Sequence, residues 1–383
     1  MIKTLYRVAL DFVGAFFPLP QRPQYAYVFL IHMRHLDDIY RKFSFLKVLP
    51  ESWLYALIRH AWPITVSKIT GLRDSKTNEP ISGWVICVPL TAKQMMEDRA
   101  LALRHIRRAV VLAKNKGAKI IGLGALTASL TKGGHDLKDI SGVALTTGHA
   151  YTVYNISQTL LGILDEMDEK HEESVLAIVG ASGSIGSGVA RLLCEYKFKE
   201  FLLIDLVRKN ENLSTLVTEI QREHPHLLVT VSNHIGDIKR ADVIITATSA
   251  PEALIKDDDL KVGAIVIDDA QPSDIDSSVF ARDDVLVLEA GAVRTPGIRV
   301  NFNLDLKGNE DSFSCLAEVL IMASQKRSEH YVLGDFSRAH VNEISALGRE
   351  MGFSIAPYQN QYEIIHTAKI KKIKDMRRIS RVA

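Results

Sequence analysis

The sequence predicts an α/β protein built on parallel sheet, and three observations predict it. Short apolar runs alternate with helix-patterned segments along most of the 383 residues. Six such runs follow one another between residues 174 and 300. At the head of that series, an apolar run passes directly into a glycine-rich loop and then into a helical run.

The length suits two or three domains, each able to bury a core. A formal net charge of +2 gives no overall field for nucleic acid. The three cysteines, Cys87, Cys194 and Cys315, have the spacing of neither a disulfide framework nor a metal site. They predict free thiols in a reducing compartment, hence a cytoplasmic protein without a metal.

The elements follow in order. Residues 1–24 form an N-terminal extension. Lys3, Thr4, Arg7 and Asp11 fall on one helical stripe, and these charges exclude a membrane span. The pattern predicts an amphipathic helix ending at Pro18, with residues 1–20 docked on the protein or lying on a membrane surface. Residues 25–165 read as an α/β substrate domain, with strands over 27–31, 64–69, 84–88 and 119–122. One helix is expected over 92–116, ended by Gly117, and another over 148–167. A charged linker over 165–173 leads to the domain at 174–300. Its six strands are expected at Val175–Val179, 201–205, 227–231, 243–247, Ile265–Asp268 and 285–288. Residues 301–367 read as helical. The tail, 368–383, interleaves Lys369, Lys371, Lys372, Lys374, Arg377, Arg378 and Arg381 with Ile370, Ile373, Met376 and Ile379. That is a basic amphipathic helix for anionic lipid heads, an acidic carrier protein or solvent. Aromatic interleaving is absent, so nucleic acid is not expected.

The sharpest motif is Gly180-Ala181-Ser182-Gly183-Ser184-Ile185-Gly186. In strand–loop–helix context Gly180 permits a tight turn, Gly183 lets backbone approach a pyrophosphate, and Gly186 lets the helix pack on the strand. The helix start presents N–H groups and a positive dipole end to phosphates, and Ser182 and Ser184 can add hydroxyls. With six strands, this is a doubly wound Rossmann domain for a nicotinamide dinucleotide. Asp205, roughly 20–25 residues past the loop, can hold the ribose 2′-OH of NAD(H). Arg208 and Lys209 beside it can hold the 2′-phosphate of NADP(H), which is the favoured reading. Thr248 and Ser249 follow the fourth strand, at the edge where the nicotinamide end binds. Asp268 and Asp269 are expected to form a turn.

Cys315 lies in Asp311-Ser312-Phe313-Ser314-Cys315-Leu316-Ala317-Glu318. Asp311, Ser312 or Ser314 can cap the helix that follows, whose apolar face is Leu316, Val319, Leu320 and Met322. Cys315 then falls in the first turn, where the dipole favours thiolate. Cys87 and Cys194 read as inert core residues.

The chain resembles the long-chain acyl-[acyl-carrier-protein] reductases of cyanobacteria, which make fatty aldehydes. The matching stretches are Leu123-Gly124-Ala125-Leu126-Thr127, Thr146-Thr147-Gly148 with Thr152-Val153-Tyr154, the loop Gly180 to Gly186, Val287-Leu288-Glu289-Ala290-Gly291 and Cys315-Leu316-Ala317-Glu318. The resemblance implies a nucleophilic Cys315 that takes the acyl group from a thioester of acyl carrier protein or CoA. It implies NADPH as the hydride donor, with Arg208 as its basic contact. The family has a histidine where this chain has Tyr151, while His149 stands two residues earlier. Either side chain can donate to the thioester oxygen or the departing group. Two other readings stay open: a dehydrogenase of the shikimate-dehydrogenase type with a proton relay such as Lys132, His149 or Tyr151, and a membrane-associated regulatory protein that binds a dinucleotide.

Overall fold

The computed structural model describes residues 2–17, 25–301, 304 and 306–382. The chain divides into two compact units. The first comprises Met1–Gly148, Thr295–Leu304 and Ser312–Ser354, and the second His149–Arg294, Asp305–Asp311 and Ile355–Ala383.

The first unit is built on a mixed sheet. Its strands are β1 (Ala26–Met33), β2 (Ile64–Thr70), β3 (Ser82–Thr91), β4 (Ala118–Leu123) and β5 (Ala144–Thr146), joined by the short strand Arg299–Val300. The order is Arg299–Val300, β2, β3, β1, β4, β5. β1 runs parallel to β3 and β4, β4 parallel to β5, and β2 antiparallel to β3. Val28, Leu30, Ile86, Val88, Ile121 and Leu123 on one face and Tyr27, Phe29, Val85 and Ile120 on the other are buried, because strands covered on both faces demand apolar side chains throughout. The helix Ser314–Ser324 packs on β1 and β4. A Cβ at Gly122 would lie 2.1 Å from Val319, so that glycine permits the helix's close approach.

The expected helix over 92–116 is two helices, Ala92–Glu97 and Arg99–Asn115. Thr91 and Gln94 form a capping box on the first, and Asp98 accepts the Leu101 N–H at 2.9 Å to cap the second. The N-terminal helix, α1 (Ile2–Phe16), belongs to this unit and packs on Arg99–Asn115 and β2. The expected boundary at Pro18 lies outside the described residues.

The second unit holds the six-stranded parallel sheet: β6 (Val175–Val179), β7 (Glu200–Ile204), β8 (Val229–Ser232), β9 (Val243–Thr246), β10 (Ile265–Asp268) and β11 (Leu286–Glu289). The order β8-β7-β6-β9-β10-β11 reverses between β6 and β9, which is the switch point of a doubly wound dinucleotide fold. The helix His149–Glu166 also belongs here rather than with residues 25–148, because it packs on the helix Ser184–Leu193.

The region 301–367 is not one helical body. Residues 312–354 join the first unit and 305–311 the second, and Asp311–Phe313 is a strand. The basic tail is a helix, Thr367–Val382, folded onto the second unit. Ile370 and Ile373 are buried, and Arg377 pairs with Glu169 at 2.8 Å and donates to the carbonyls of Asp242 and Gly263. Lys369, Lys372 and Lys374 pair with Glu363, Asp283 and Asp168. Much of the tail's positive charge is thus matched by the chain's own acids. No helix among the described residues is long and apolar enough to cross a membrane.

Candidate functional site

The glycine loop stands at the switch point of the second sheet. Gly180 has φ +79°, and a Cβ there would lie 2.7 Å from the Ala247 carbonyl oxygen. A Cβ at Gly186 would lie 2.3 Å from the Gly180 oxygen, so the chain's own packing dictates both glycines. Gly183 differs. Its φ is −70°, and a Cβ would meet only the Gly180 oxygen closely, at 3.1 Å. Its missing side chain leaves room at the start of the helix Ser184–Leu193, which is what a pyrophosphate needs. Ile185 lies in the first turn of that helix. The residues present therefore fit an NAD(P) dinucleotide.

Asp205 already has partners: its Oδ2 accepts the Ser182 N–H at 2.9 Å and the Ser182 hydroxyl at 2.6 Å. Asp205 and Ser182 thus brace the loop. Arg208 stands exposed in the turn Val207–Lys209 that follows. The Ser184 hydroxyl lies 2.9 Å from His149 Nδ1, tying together the first residues of two helices. Burial pushes the His149 imidazole down to about 4, so it is neutral near pH 7.

At the carboxyl ends of β9 and β10 the structure assembles what the sequence does not announce. Asp274 is fully buried and accepts hydrogen bonds from the Thr246 hydroxyl and from the Thr248 hydroxyl at 2.6 Å. The Thr248 side chain therefore braces its own loop, leaving Ser249 exposed at the edge. Asp268 is no plain turn former. It accepts the Ala270 N–H and the Ser273 hydroxyl, and burial, then Asp274, push its carboxyl up to about 8. Burial, then Asp268, also push Asp269 well up.

In the first unit, Cys315 is the second residue of the helix Ser314–Ser324. The N-cap position is Phe313, without a side-chain cap bond. The expected capping by Asp311 or Ser312 fails because 311–313 is extended and the Asp311 carboxylate accepts the Gly308 N–H at 3.0 Å. Cys315 is half-buried, whereas Cys87 and Cys194 are buried, and none of the three is in a disulfide. Burial pushes the Cys87 thiol up to about 12, which fits its inert reading.

Gly148 closes over Cys315. Its φ is +79°, and a Cβ there would lie 2.3 Å from Cys315 Cα and 2.5 Å from Cys315 Cβ. Just before it, Thr146 donates its hydroxyl to the fully buried Glu318, one turn beyond Cys315. Thr147 donates its N–H to the Val332 carbonyl at 3.0 Å, while its buried hydroxyl has no partner among the described residues. Ala125, in the loop after β4, holds φ +47°, a strained conformation of the kind that clusters at working sites.

His149 and Tyr151 stand two positions apart on one helix, so they leave it on different faces. Tyr151 is 2% exposed and packs against the Tyr154 ring at 5.7 Å, while His149 reaches the glycine loop. Nothing in the sequence singles out Asp274 or the orphaned Thr147 hydroxyl. The same holds for His32 at the end of β1, whose Nδ1 lies 2.8 Å from the Met33 carbonyl and whose buried Nε2 has no partner among the described residues.

A family model described as shikimate / quinate 5-dehydrogenase matches residues 163–293, the core of the second unit. The chain is 29% identical over 309 residues to the aminotransferase PigE of a Serratia species, covering 78% of this chain and 35% of that protein. It is 26% identical over 239 residues to the long-chain acyl-[acyl-carrier-protein] reductase of Synechococcus elongatus, covering 58% of this chain and 66% of that one. It is 28% identical over 208 residues to a glutamyl-tRNA reductase of Methanococcus maripaludis, covering 51% of each. The chain thus spans between a third and two-thirds of the length of these curated relatives. Its second unit is an NAD(P)-binding domain of the kind in the matched model, carried on a chain distantly related to these two reductases.

Proposed function

We propose that this chain is an NAD(P)H-dependent oxidoreductase that reduces a fatty acyl thioester, carried on acyl carrier protein or CoA, to an aldehyde through an acyl-enzyme on Cys315. The single observation that carries this reading is the placement of Cys315: half-buried, in the first turn of an otherwise buried helix, beneath Gly148.

The helix dipole favours the thiolate. The Cys315 sulfur adds to the thioester carbonyl, the bond from that carbon to the carrier sulfur breaks, and the carrier thiolate leaves and takes a proton. The acyl group is then held as a thioester of Cys315. A bound reduced dinucleotide supplies the hydride, and NADP(H) is favoured because Arg208 is exposed beside Asp205. Once the carbonyl carbon is reduced, the Cys315–carbon bond breaks, aldehyde leaves and the thiolate returns. His149, neutral and bonded to Ser184, is the better placed of the two candidate donors to serve the dinucleotide loop. Tyr151 is buried against the Tyr154 ring.

The names of two relatives, an acyl-carrier-protein reductase and a glutamyl-tRNA reductase, support a carrier-linked acyl substrate. The non-covalent alternative lacks a poised relay at Lys132, whose side chain is 67% exposed beside Asp136. Replacing Cys315 by serine is expected to abolish aldehyde formation and leave NADPH binding intact. Undiminished turnover would overturn the mechanism. NADPH binding without turnover on any thioester in the wild type would favour a regulatory protein.

A further inference from the structure

The N-terminal helix docks through Asp11, Gly14 and Ala15, which are buried, and turns an apolar face outward. Asp11 is 2% exposed; its carboxylate accepts the Thr65 N–H at 2.7 Å and pairs with Lys116 at 2.9 Å. Asn115 donates to the carbonyls of Gly14 and Phe17, and the Trp62 indole donates to that of Val8. Gly14 is pressed against Leu112, where a Cβ would come within 2.8 Å. These contacts fix which way the helix faces.

Tyr6, Leu10, Val13 and Phe17, spaced three and four apart, are 40–65% exposed, and Phe12 and Phe16 beside them about as much. An isolated exposed apolar residue needs no explanation, but a continuous stripe of them does. From Tyr6 to Phe17 the exposed residues are apolar except Arg7, and the only acid, Asp11, is buried and paired. Arg108 lies over the Phe16 ring at 4.5 Å, and Arg104, one turn earlier on the same helix, is exposed. Trp62 packs on Phe12, with ring centroids 5.0 Å apart. The helix Glu51–Ile58, just before Trp62 in the chain, exposes Trp53 and Leu57 at successive turns.

We propose that this face is the surface by which the protein lies on a bilayer of anionic lipid. Aromatic and aliphatic side chains would enter the headgroup–acyl boundary, with Arg7, Arg104 and Arg108 meeting the headgroups. A helix with an apolar outer face, arginine at its border and no exposed acid is complementary to that interface. The C-terminal helix has no such role, since its buried face is already covered and three of its four lysines, Lys369, Lys372 and Lys374, are paired with the protein's own acids. This inference does not depend on the proposed reaction.

The test is co-sedimentation of the full chain with vesicles of phosphatidylcholine alone and of phosphatidylcholine mixed with phosphatidylglycerol. Binding is expected to the mixed vesicles, weakened by salt and by omission of phosphatidylglycerol. The double variant L10E/V13E is expected to lower partitioning about tenfold or more, with its melting temperature and NADPH affinity unchanged. I379E on the C-terminal helix is expected to leave binding as in the wild type. Absence of vesicle binding by the wild type, or equal binding by L10E/V13E, would overturn the proposal. A wild-type dimer that ignores vesicles and becomes monomeric in L10E/V13E would also overturn it, assigning the face to a second copy of the chain.

Discussion

Gly148→Ala is the substitution whose cost can be worked most directly from the structure. Two effects add. A non-glycine residue at φ +79° costs roughly 1–2 kcal/mol, because its Cβ crowds the following carbonyl. The new Cβ also lies 2.3 Å from Cys315 Cα, and both groups are backbone or next to it, so no flexible side-chain end can yield. Relief needs a shift of about 1 Å in the helix Ser314–Ser324 or in the Thr147–Gly148 peptide, and overpacking of that kind costs about 1–3 kcal/mol. The sum is about 2–5 kcal/mol, or a fall in melting temperature on the order of 10 °C. A displacement of about 1 Å at a nucleophile is also enough to slow its reaction on the order of a hundredfold. Two assays read this out: thermal melting, and the rate of Cys315 alkylation by iodoacetamide followed by peptide mass. A variant that melts with the wild type and alkylates at the wild-type rate would refute the packing of Gly148 on Cys315.

Other expectations follow from the same geometry. Gly186→Ala drives a Cβ to 2.3 Å from the Gly180 oxygen, so stability and dinucleotide binding should fall together. Gly183→Ala meets that oxygen only at 3.1 Å, so melting should barely change while NADPH affinity, read by nucleotide fluorescence, falls sharply. Equal effects of the two variants on melting would contradict this. Arg208→Ala should raise KM for NADPH about tenfold and leave that for NADH unchanged, as loss of one charge-assisted hydrogen bond requires. Asp268, pushed up to about 8, keeps its proton in the folded state, whereas in the unfolded chain it ionises near the ordinary value of about 3.9. Its contribution to stability is therefore full below that value and is lost as pH rises towards about 8. Asp268→Asn should flatten the fall of melting temperature across this window, and an unchanged slope would count against the buried acid.

Much of the fold is legible because parallel strands buried on both faces leave unbroken apolar runs. Val175–Val179 and Ile265–Asp268 have the bounds the sequence predicts, and every residue in both is buried. The glycine loop is legible because steric demand at Gly180 and Gly186 leaves no other residue type. What escapes is long-range. Thr146 and Glu318 are 172 positions apart, and Asp274 acquires its meaning only from Thr246 and Thr248 across the loop. Asp311 looks like a helix cap, but it is claimed by the turn at Gly308. The choice between His149 and Tyr151 needs the helix itself, since two positions apart in sequence become two different faces. The charges on α1 show that it does not span a membrane, but only the partners of Asp11 show which face is turned outward.

The covalent step is the central claim, and one measurement meets it directly. The intact protein is incubated with acyl-carrier-protein and CoA thioesters of several chain lengths, without dinucleotide, and its mass is recorded. The account predicts a gain of one acyl group, mapped by peptide mass to Cys315, absent from Cys315→Ser, and lost as aldehyde on adding NADPH. A wild-type protein that turns over thioester and NADPH yet never carries an acyl group on Cys315 would contradict it.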